Sequence, residues 1–165
     1  MPKWMIGAEN GYSYRLGMAH AVLAKVMTNL GEPREAEPYA RKACELLTPY
    51  GNELLHARAH LSAVLLAQGR AAEAREAAEH GVRELEQMRN SGVYAVAMRL
   101  ALARACFAQG DVSAGEAALR KALQCVWERA SDIPDPTLRE RFLHQVPENA
   151  RTLELAHQRW GELPE

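Results

Sequence analysis

Aromatic side chains are scarce in this sequence, long apolar runs are missing, and neither sign of charge dominates. Aromatic residues make up 6% of the chain while alanine is abundant, which favours closely packed helices because alanine is small and the best helix former. No apolar run reaches the ~20 residues that cross a bilayer. The start, MPKWMIGAEN, lacks the apolar core of a secretory signal. We therefore expect no membrane partner and no secretion.

The charge balance and the small number of cysteines argue against further classes of protein. The 20 basic and 21 acidic residues give a net charge of −1, which argues against a nucleic-acid partner. Cys44, Cys106 and Cys125 show no C-x-x-C spacing, so they are predicted to be small buried residues. An odd, unpaired set fits a reducing cytoplasm. With 48% hydrophobic residues among 165, the chain can form one folded domain.

One glycine-containing phrase occurs three times along the chain. It reads TNLGEPREAEPYARKA at 28–43, LLAQGRAAEAREAAEHG at 65–81 and FAQGDVSAGEAALRKA at 107–122. The three glycines are 38 and 41 residues apart, and small or apolar residues recur at fixed offsets from them. Relative to Gly31, Gly69 and Gly110, these are Leu23, Leu61 and Leu102 at −8; Ala24, Ser62 and Ala103 at −7; Ala36, Ala74 and Gly115 at +5; Ala40, Ala78 and Leu119 at +9; and Ala43, Gly81 and Ala122 at +12.

These matched offsets predict matched helix contacts on either side of a turn. A glycine can end a helix in the left-handed conformation without strain, and apolar residues recur every three or four positions on both sides. The predicted fold is all-α, a right-handed superhelical solenoid of antiparallel helix pairs. We expect three repeats at about 11–47, 53–88 and 93–130, and a shorter C-terminal capping pair at about 137–160 without the glycine phrase.

The Ala-Gln-Gly turn, with alanine at +5 and alanine or glycine at +12, resembles the tetratricopeptide repeat. The period exceeds the usual ~34 residues of that family and is similar to the long superhelical repeats of MalT-like ATPases and related serine/threonine kinases. The tail, IPDPTLRERFLHQVPENARTLELAHQRWG at 133–161, resembles the closing segment of myxobacterial kinase-type regulators. The resemblance implies the C-terminal arm of a regulator, or a stand-alone relative of that arm.

The sequence departs from the family where large aromatics are usual. In the first helix of each repeat they are replaced by His20, Arg58 and Arg99, and the tyrosine usual at −4 is Met27, Leu65 or Cys106. These departures argue against the peptide-clamp subtype but leave the helical-hairpin fold unaffected.

Motifs for catalysis are missing, so we predict a non-enzyme without a cofactor. The sequence contains no G-x-x-x-x-G-K-[ST], H-R-D or G-x-S-x-G. His56 and His60 have the i, i+4 spacing that could share a metal, with His20 from the preceding repeat as a third ligand. The alternative interpretation is that these histidines are polar groove residues.

The first helices of the pairs are expected to line a concave groove, where matched positions would stack. Basic and apolar residues at −11, −6 and −3 from each glycine would suit an acidic or C-terminal peptide with an apolar anchor. Alternatively, Arg58 and Arg99 cover neighbouring helices and pair with nearby glutamates. The candidate partner-binding residues are His20, Lys25, Thr28, His56, Arg58, Leu66, Arg99, Arg104 and Phe107.

Two functions remain open from the sequence: a protein-interaction module, and a ligand-sensing arm of a regulator. A peptide binder needs an open channel, whereas a sensor needs a closed cavity with converging polar groups. The solenoid ends offer a further surface for a partner or a second copy. Trp4, Met5 and Ile6 lie at one end, unless Trp4 folds back on the first helix, and Trp160 lies near the other.

The packing hypothesis is tested by enlarging one predicted small-residue contact. Ala78→Leu or Ala122→Leu is expected to overpack a helix contact and lower the free energy of unfolding by roughly 1–3 kcal/mol. Thermal melts of the two variants measure this, and an unchanged midpoint in both would contradict the placement of the contacts.

Overall fold

The structure is a computed structural model whose described residues are 3–88 and 94–161, with only the backbone described for 3–10. These residues form helices and their connections, and they contain no strand. The helices are α1 (Lys3–Asn29), α2 (Pro33–Leu47), α3 (Gly51–Ala67), α4 (Ala71–Gln87), α5 (Ala95–Ala108), α6 (Val112–Ser131), α7 (Pro136–Gln145) and α8 (Pro147–Trp160).

The repeated glycine forms the turn inside each of the first three helix pairs, as predicted. Gly31, Gly69 and Gly110 have φ values of 84°, 77° and 80°, in the left-handed region. After each glycine, the next amide donates to the carbonyl five residues back, for example from Glu32 to Met27 over 2.9 Å. This is the Schellman ending, which satisfies carbonyls that the helix end leaves free. The turn directs the second helix back along the first.

The pairs stack in two layers, which confirms the predicted helical solenoid. Consecutive helices pack on each other, and α1, α3 and α5 also contact one another in sequence. Within the described residues, the backbones of α2 and α4, and those of α4 and α6, lie farther apart than the backbones of the inner helices, and ion pairs such as Arg41–Glu73 and Lys121–Glu86 span the gaps. The odd-numbered helices therefore form the inner layer and the even-numbered helices diverge on the outside. This divergence makes the inner surface concave.

Two predicted boundaries differ from the helix bounds in the structure. The first helix was expected from Gly11 but begins at Lys3, so Trp4, Met5 and Ile6 are part of α1; their side chains lie outside the described residues. The predicted start of the third pair at residue 93 also lies outside them, and α5 begins at Ala95.

The small residues at the matched offsets lie at helix contacts. Ala74 and Ala78 are fully buried, and the Ser62 hydroxyl donates to the Ala74 carbonyl over 2.9 Å. Leu23 is the exception, because it is 45% exposed whereas Leu61, at the same position of the next repeat, is 7% exposed. No described helix covers that side of α1.

The two junctions between successive repeats use the same positions with opposite charges. At the first junction, Glu37 (+6) accepts from Gln68 (−1) over 2.9 Å and from Arg70 (+1) over 2.6 Å. At the second junction, Arg75 (+6) donates to Asp111 (+1) over 2.9 Å. The pKa of Glu37 is lowered by the hydrogen bond from Gln68 and by its arginine neighbours. The swapped signs favour the native order, because stacking the third repeat on the first would bring two carboxylates together.

In the C-terminal hairpin, the second helix rather than the first occupies the inner layer of the solenoid. Its second helix, α8, contacts both α5 and α6, as the first helix of an ordinary repeat would. Its first helix, α7, contacts α6 and α8 only. Leu143, Leu153 and Ala156 bury this hairpin against Val126 and Ala130 of α6. As a result, α8 extends the inner layer.

The charge swap at the junctions is testable by a double-mutant cycle. Glu37→Arg places a guanidinium against Arg70 and is expected to lower the free energy of unfolding by about 1 kcal/mol. Adding Arg70→Glu restores an opposite pair and is expected to recover part of that loss. Urea denaturation of the native chain, both single variants and the double variant measures the coupling. Strictly additive losses would show that the pair contributes nothing.

Candidate binding cleft

The inner layer and α8 enclose a cleft of about 480 Å³. Its walls come from α1, α3 and α5, and the first turn of α8 closes one side. The floor is small and apolar, with Ala63, Leu66 and Leu100 among its members. The polar lining residues are Lys25, Thr28, Asn29, His60, Arg104, Glu148 and Arg151.

Of the repeat positions expected to face the groove, one lines the cleft in all three repeats. The three residues six before the turn glycine, Lys25, Ala63 and Arg104, all line the cleft. At −3, Thr28 and Leu66 also line it. These positions share a face because three residues turn an α-helix by about 300°, which leaves them about 60° apart.

The prediction for position −11 was wrong, because His20, Arg58 and Arg99 are not among the residues that line the cleft. Five residues separate −11 from −6, and this rotates a side chain by about 140° around the helix. Position −11 therefore faces the outer layer rather than the concave surface.

Each of these three side chains has a partner on an outer helix. Arg58 donates to both carboxylate oxygens of Glu84 on α4, over 2.8 and 3.1 Å. Arg99 donates to the sulfur of Cys125 on α6 over 2.8 Å. The His20 ring lies 5.5 Å from the ring of Tyr39 on α2. All three tie the layers together, as the alternative interpretation held for the two arginines, although the partner of Arg99 is a thiol rather than a glutamate.

Phe107 was also predicted to face the groove, but it is not among the cleft residues and turns toward α6. A Cβ atom on Gly115 would lie 2.5 Å from its ring, so the missing side chain at Gly115 makes room for it. The guanidinium of Arg159 on α8 lies over the Phe107 ring, 4.0 Å from its centroid. Phe107 therefore joins α5, α6 and α8.

His56 and His60 form a pair at the edge of the cleft. Their Nε2 atoms lie 3.1 Å apart, and the His56 ring lies 4.6 Å from that of Tyr94. His60 lines the cleft, whereas His56 is not among the lining residues. Burial lowers the pKa of both rings, and for His60, which is also near His56 and Lys25, it falls to about 3. The pair is therefore neutral at physiological pH.

The metal interpretation of His56 and His60, with His20 as a third ligand, does not fit this arrangement. His20 packs on Tyr39, away from the other two histidines. In the described part of the chain, no three His, Cys, Asp or Glu side chains are placed to hold a metal ion together.

Two arginines in the cleft have no ion pair or hydrogen bond with any described residue: Arg104 of α5 and Arg151 of α8. Desolvation by the neighbouring helices and the charge of Arg151 lower the pKa of Arg104, although its side chain is exposed. The third cation, Lys25, lies 4.0 Å from Glu148, which bridges α1 and the first turn of α8. The cleft thus concentrates positive charge above an apolar floor in a protein of nearly balanced charge.

Sequence reasoning missed Glu148 and Arg151. Both lie on α8, in the hairpin that lacks the repeated phrase, so no matched offset marked them. Only the reversed packing of that hairpin brings them to the concave surface.

Comparisons with known proteins agree with this architecture. Residues 55–80 and 96–121 match the tetratricopeptide repeat. The crystal structure of the TPR domain of Arabidopsis FLU superposes with a TM-score of 0.62 over 70% of this chain and 98% of that one, at 18% identity. No curated protein matches the chain. None of the helices in the described ranges could cross a membrane on grounds of length and hydropathy.

These matches support an interaction fold of the tetratricopeptide type. Such repeats generally mediate protein–protein interaction, and domains built from them are typically non-catalytic. The likeness to the FLU domain extends to the fold alone at this level of identity.

The buried histidine pair predicts a loss of stability in mild acid. Because the folded pKa of His60 is lowered, its contribution is complete above the unfolded value near 6.5 and is lost as the pH falls toward 3. Between pH 7 and pH 5, we expect the free energy of unfolding to fall by about 1–2 kcal/mol. Urea denaturation at each pH measures this loss.

Two variants separate this effect from general acid sensitivity. His60→Gln is expected to reduce the loss, whereas His144→Gln, at an exposed histidine of α7, should leave it unchanged. An equal loss in all three proteins would rule out the histidine pair as its source.

Proposed function

We propose that the protein is a non-catalytic interaction module that holds an acidic segment of a partner polypeptide in the cleft. The single observation that carries this proposal is the presence of Arg104 and Arg151, both without a partner, in one cleft. Two like charges held in one cleft repel each other even though both side chains are exposed to solvent, and this cost remains unless an anion joins them. A carboxylate would remove that cost and gain charge-assisted hydrogen bonds.

The shape of the cleft supports an apolar residue beside the acidic one. Leu66, Leu100 and several alanines line the surface next to the arginines. An aliphatic side chain of the partner would displace water from this surface while its acidic neighbour reaches the arginines. The nearly balanced overall charge favours a protein partner over a nucleic acid.

The resemblance of the long repeats and of the tail supports placing this module in a bacterial regulator of the cytoplasm. In that setting, the partner would belong to the catalytic part of the same signalling system. The absence of kinase and ATPase motifs in this chain fits such a division of roles.

A second candidate function, sensing of a small anionic ligand, is favoured by α8. Its first turn, with Pro147, Glu148 and Arg151, closes one side of what would otherwise be an open channel. The volume of about 480 Å³ falls within the range of small-molecule sites, roughly 300–1,000 Å³. A small anion bridging Arg104 and Arg151 would connect α5 to α8.

The cleft is tested with a charge reversal and a matched control. The test variant combines Lys25→Glu, Arg104→Glu and Arg151→Glu, while the control combines Arg34→Glu, Arg83→Glu and Lys121→Glu on the exposed surfaces of outer helices. Arg99 is left intact because its bond to Cys125 holds two helices together. A pull-down from lysate of the source organism, read by mass spectrometry, identifies partners that only the test variant loses.

Titration of a partner peptide by fluorescence anisotropy then measures affinity. We expect the test variant to bind at least about tenfold more weakly, since charge-assisted bonds contribute about 1.5–3 kcal/mol each, and the control to bind as the native chain does. Equal affinities of all three proteins would remove the cleft as the binding surface. If a small anion raises the melting temperature of the native chain and the control but not of the test variant, sensing becomes the better assignment.

A further inference from the structure

The first helix carries an apolar stripe that corresponds to a buried surface elsewhere in the same molecule. Of the nine large apolar side chains that are exposed in the described part of the chain, four lie on α1 and a fifth, Leu30, follows directly after it. They follow one face of the helix at helical spacing. This α1 stripe consists of Tyr12, Val22, Leu23, Val26 and Leu30, with the exposed Ala19 near its middle.

The repeats show what kind of partner covers this face. At position −5, Val26 is 47% exposed, whereas Val64 and Ala105, its equivalents on α3 and α5, are 1% and 0% exposed. Val64 is buried in a cluster with Ala24 and Ala36 of the preceding pair. The α1 stripe is therefore a surface that elsewhere packs against another helix of the same kind.

The opposite end of the solenoid does not supply that helix. Exposed residues of α7 and α8 are mostly polar, among them Arg141, His144 and Glu154. Trp160, expected from the sequence to offer an apolar end, is half-buried and covered by the guanidinium of Arg120, 5.1 Å from its ring. A head-to-tail stack of copies would therefore place an apolar face on a polar one.

We infer that the α1 stripe binds the same stripe of a second copy, giving a two-fold symmetric dimer with antiparallel first helices. An apolar face that is self-complementary is what an isologous contact requires. The two-fold axis lies near residue 21, midway between Tyr12 and Leu30, where Ala19 allows the helices to approach closely.

Charge favours the antiparallel over the parallel arrangement. Among the residues of α1 whose side chains the structure describes, Arg15 is the one charged residue on this face. In the antiparallel pair, the two Arg15 side chains lie about 18 Å apart along the helices, at 1.5 Å per residue. In a parallel pair they would face each other and repel.

The length of α1 is sufficient for such an interface. With the two-fold axis near residue 21, residues 12–30 of the two copies lie opposite each other over about 27 Å, at 1.5 Å per residue. Two helices in contact over this length bury on the order of 1,000 Å² in total, which is the size of a weak interface. We therefore expect a dimer that dissociates on dilution. The cleft lies on another face of α1, so this inference does not depend on the proposed function.

The test is the mass of the native chain in solution as a function of concentration, measured by sedimentation equilibrium. We expect the mass to approach twice 18.3 kDa as concentration rises. Val22→Asp with Val26→Asp places charges in the α1 stripe and is expected to weaken the dimer more than about tenfold. The matched control is Val112→Asp with Leu138→Asp, which changes two exposed apolar residues elsewhere.

Each outcome of the sedimentation experiment supports or overturns the proposed dimer. A dimeric native chain and control with a monomeric stripe variant would support the inference, provided that circular dichroism shows equal helix content. A native chain that stays monomeric at every concentration would overturn it. A stripe variant that still dimerises would overturn the inference, because the contact would then lie elsewhere on the chain. Loss of the dimer in the control alone would also overturn it, because the contact would then involve Val112 or Leu138.

Covalent capture tests the geometry separately. Val22→Cys lies close to the proposed two-fold axis, so mild oxidation is expected to yield a disulfide-linked dimer. Val112→Cys, exposed on α6, serves as the control and should remain monomeric. Equal cross-linking of both variants would argue against the antiparallel contact.

Discussion

The left-handed glycine turn is the constraint on which the rest of the structure depends. At Gly31, Gly69 and Gly110 it ends one helix and reverses the chain within three residues. The two helices then lie side by side, and small residues at fixed distances from the turn meet at their contact. Because the same turn recurs, the pairs are alike and stack into two layers. A residue with a side chain would be strained at these φ values.

The stacking creates a concave surface, because the backbones of the inner helices lie close to one another and those of the outer helices lie farther apart. The small side chains of α3 and α5 leave space there, and the reversed C-terminal hairpin encloses it with α8. Arg104 and Arg151 come from different repeats and meet without an acidic partner. The packing of α8, buried through Leu153 and Ala156, thus determines the electrostatics of the cleft.

The two ends of the solenoid differ as strongly as its two faces. The junctions between repeats carry opposite charge patterns, Glu37 with Arg70 and Arg75 with Asp111, which favours one order of stacking. At the C-terminal end, a polar hairpin closes the stack. At the other end, α1 retains the apolar side chains that equivalent helices bury. The two ends differ because the three repeats share the glycine turn but carry different surface residues.

The sequence by itself determined the turns, the helix pairs and the residues at −6, because each depends on local conformation and on a repeat that can be counted. The same counting failed for His20, Arg58 and Arg99, since a five-residue offset moves a side chain to the opposite side of the helix. Tertiary structure alone decided the place of α8, and with it Glu148 and Arg151. Long-range burial fixes that helix, and a segment without the repeated phrase gives no local signal of where it will pack.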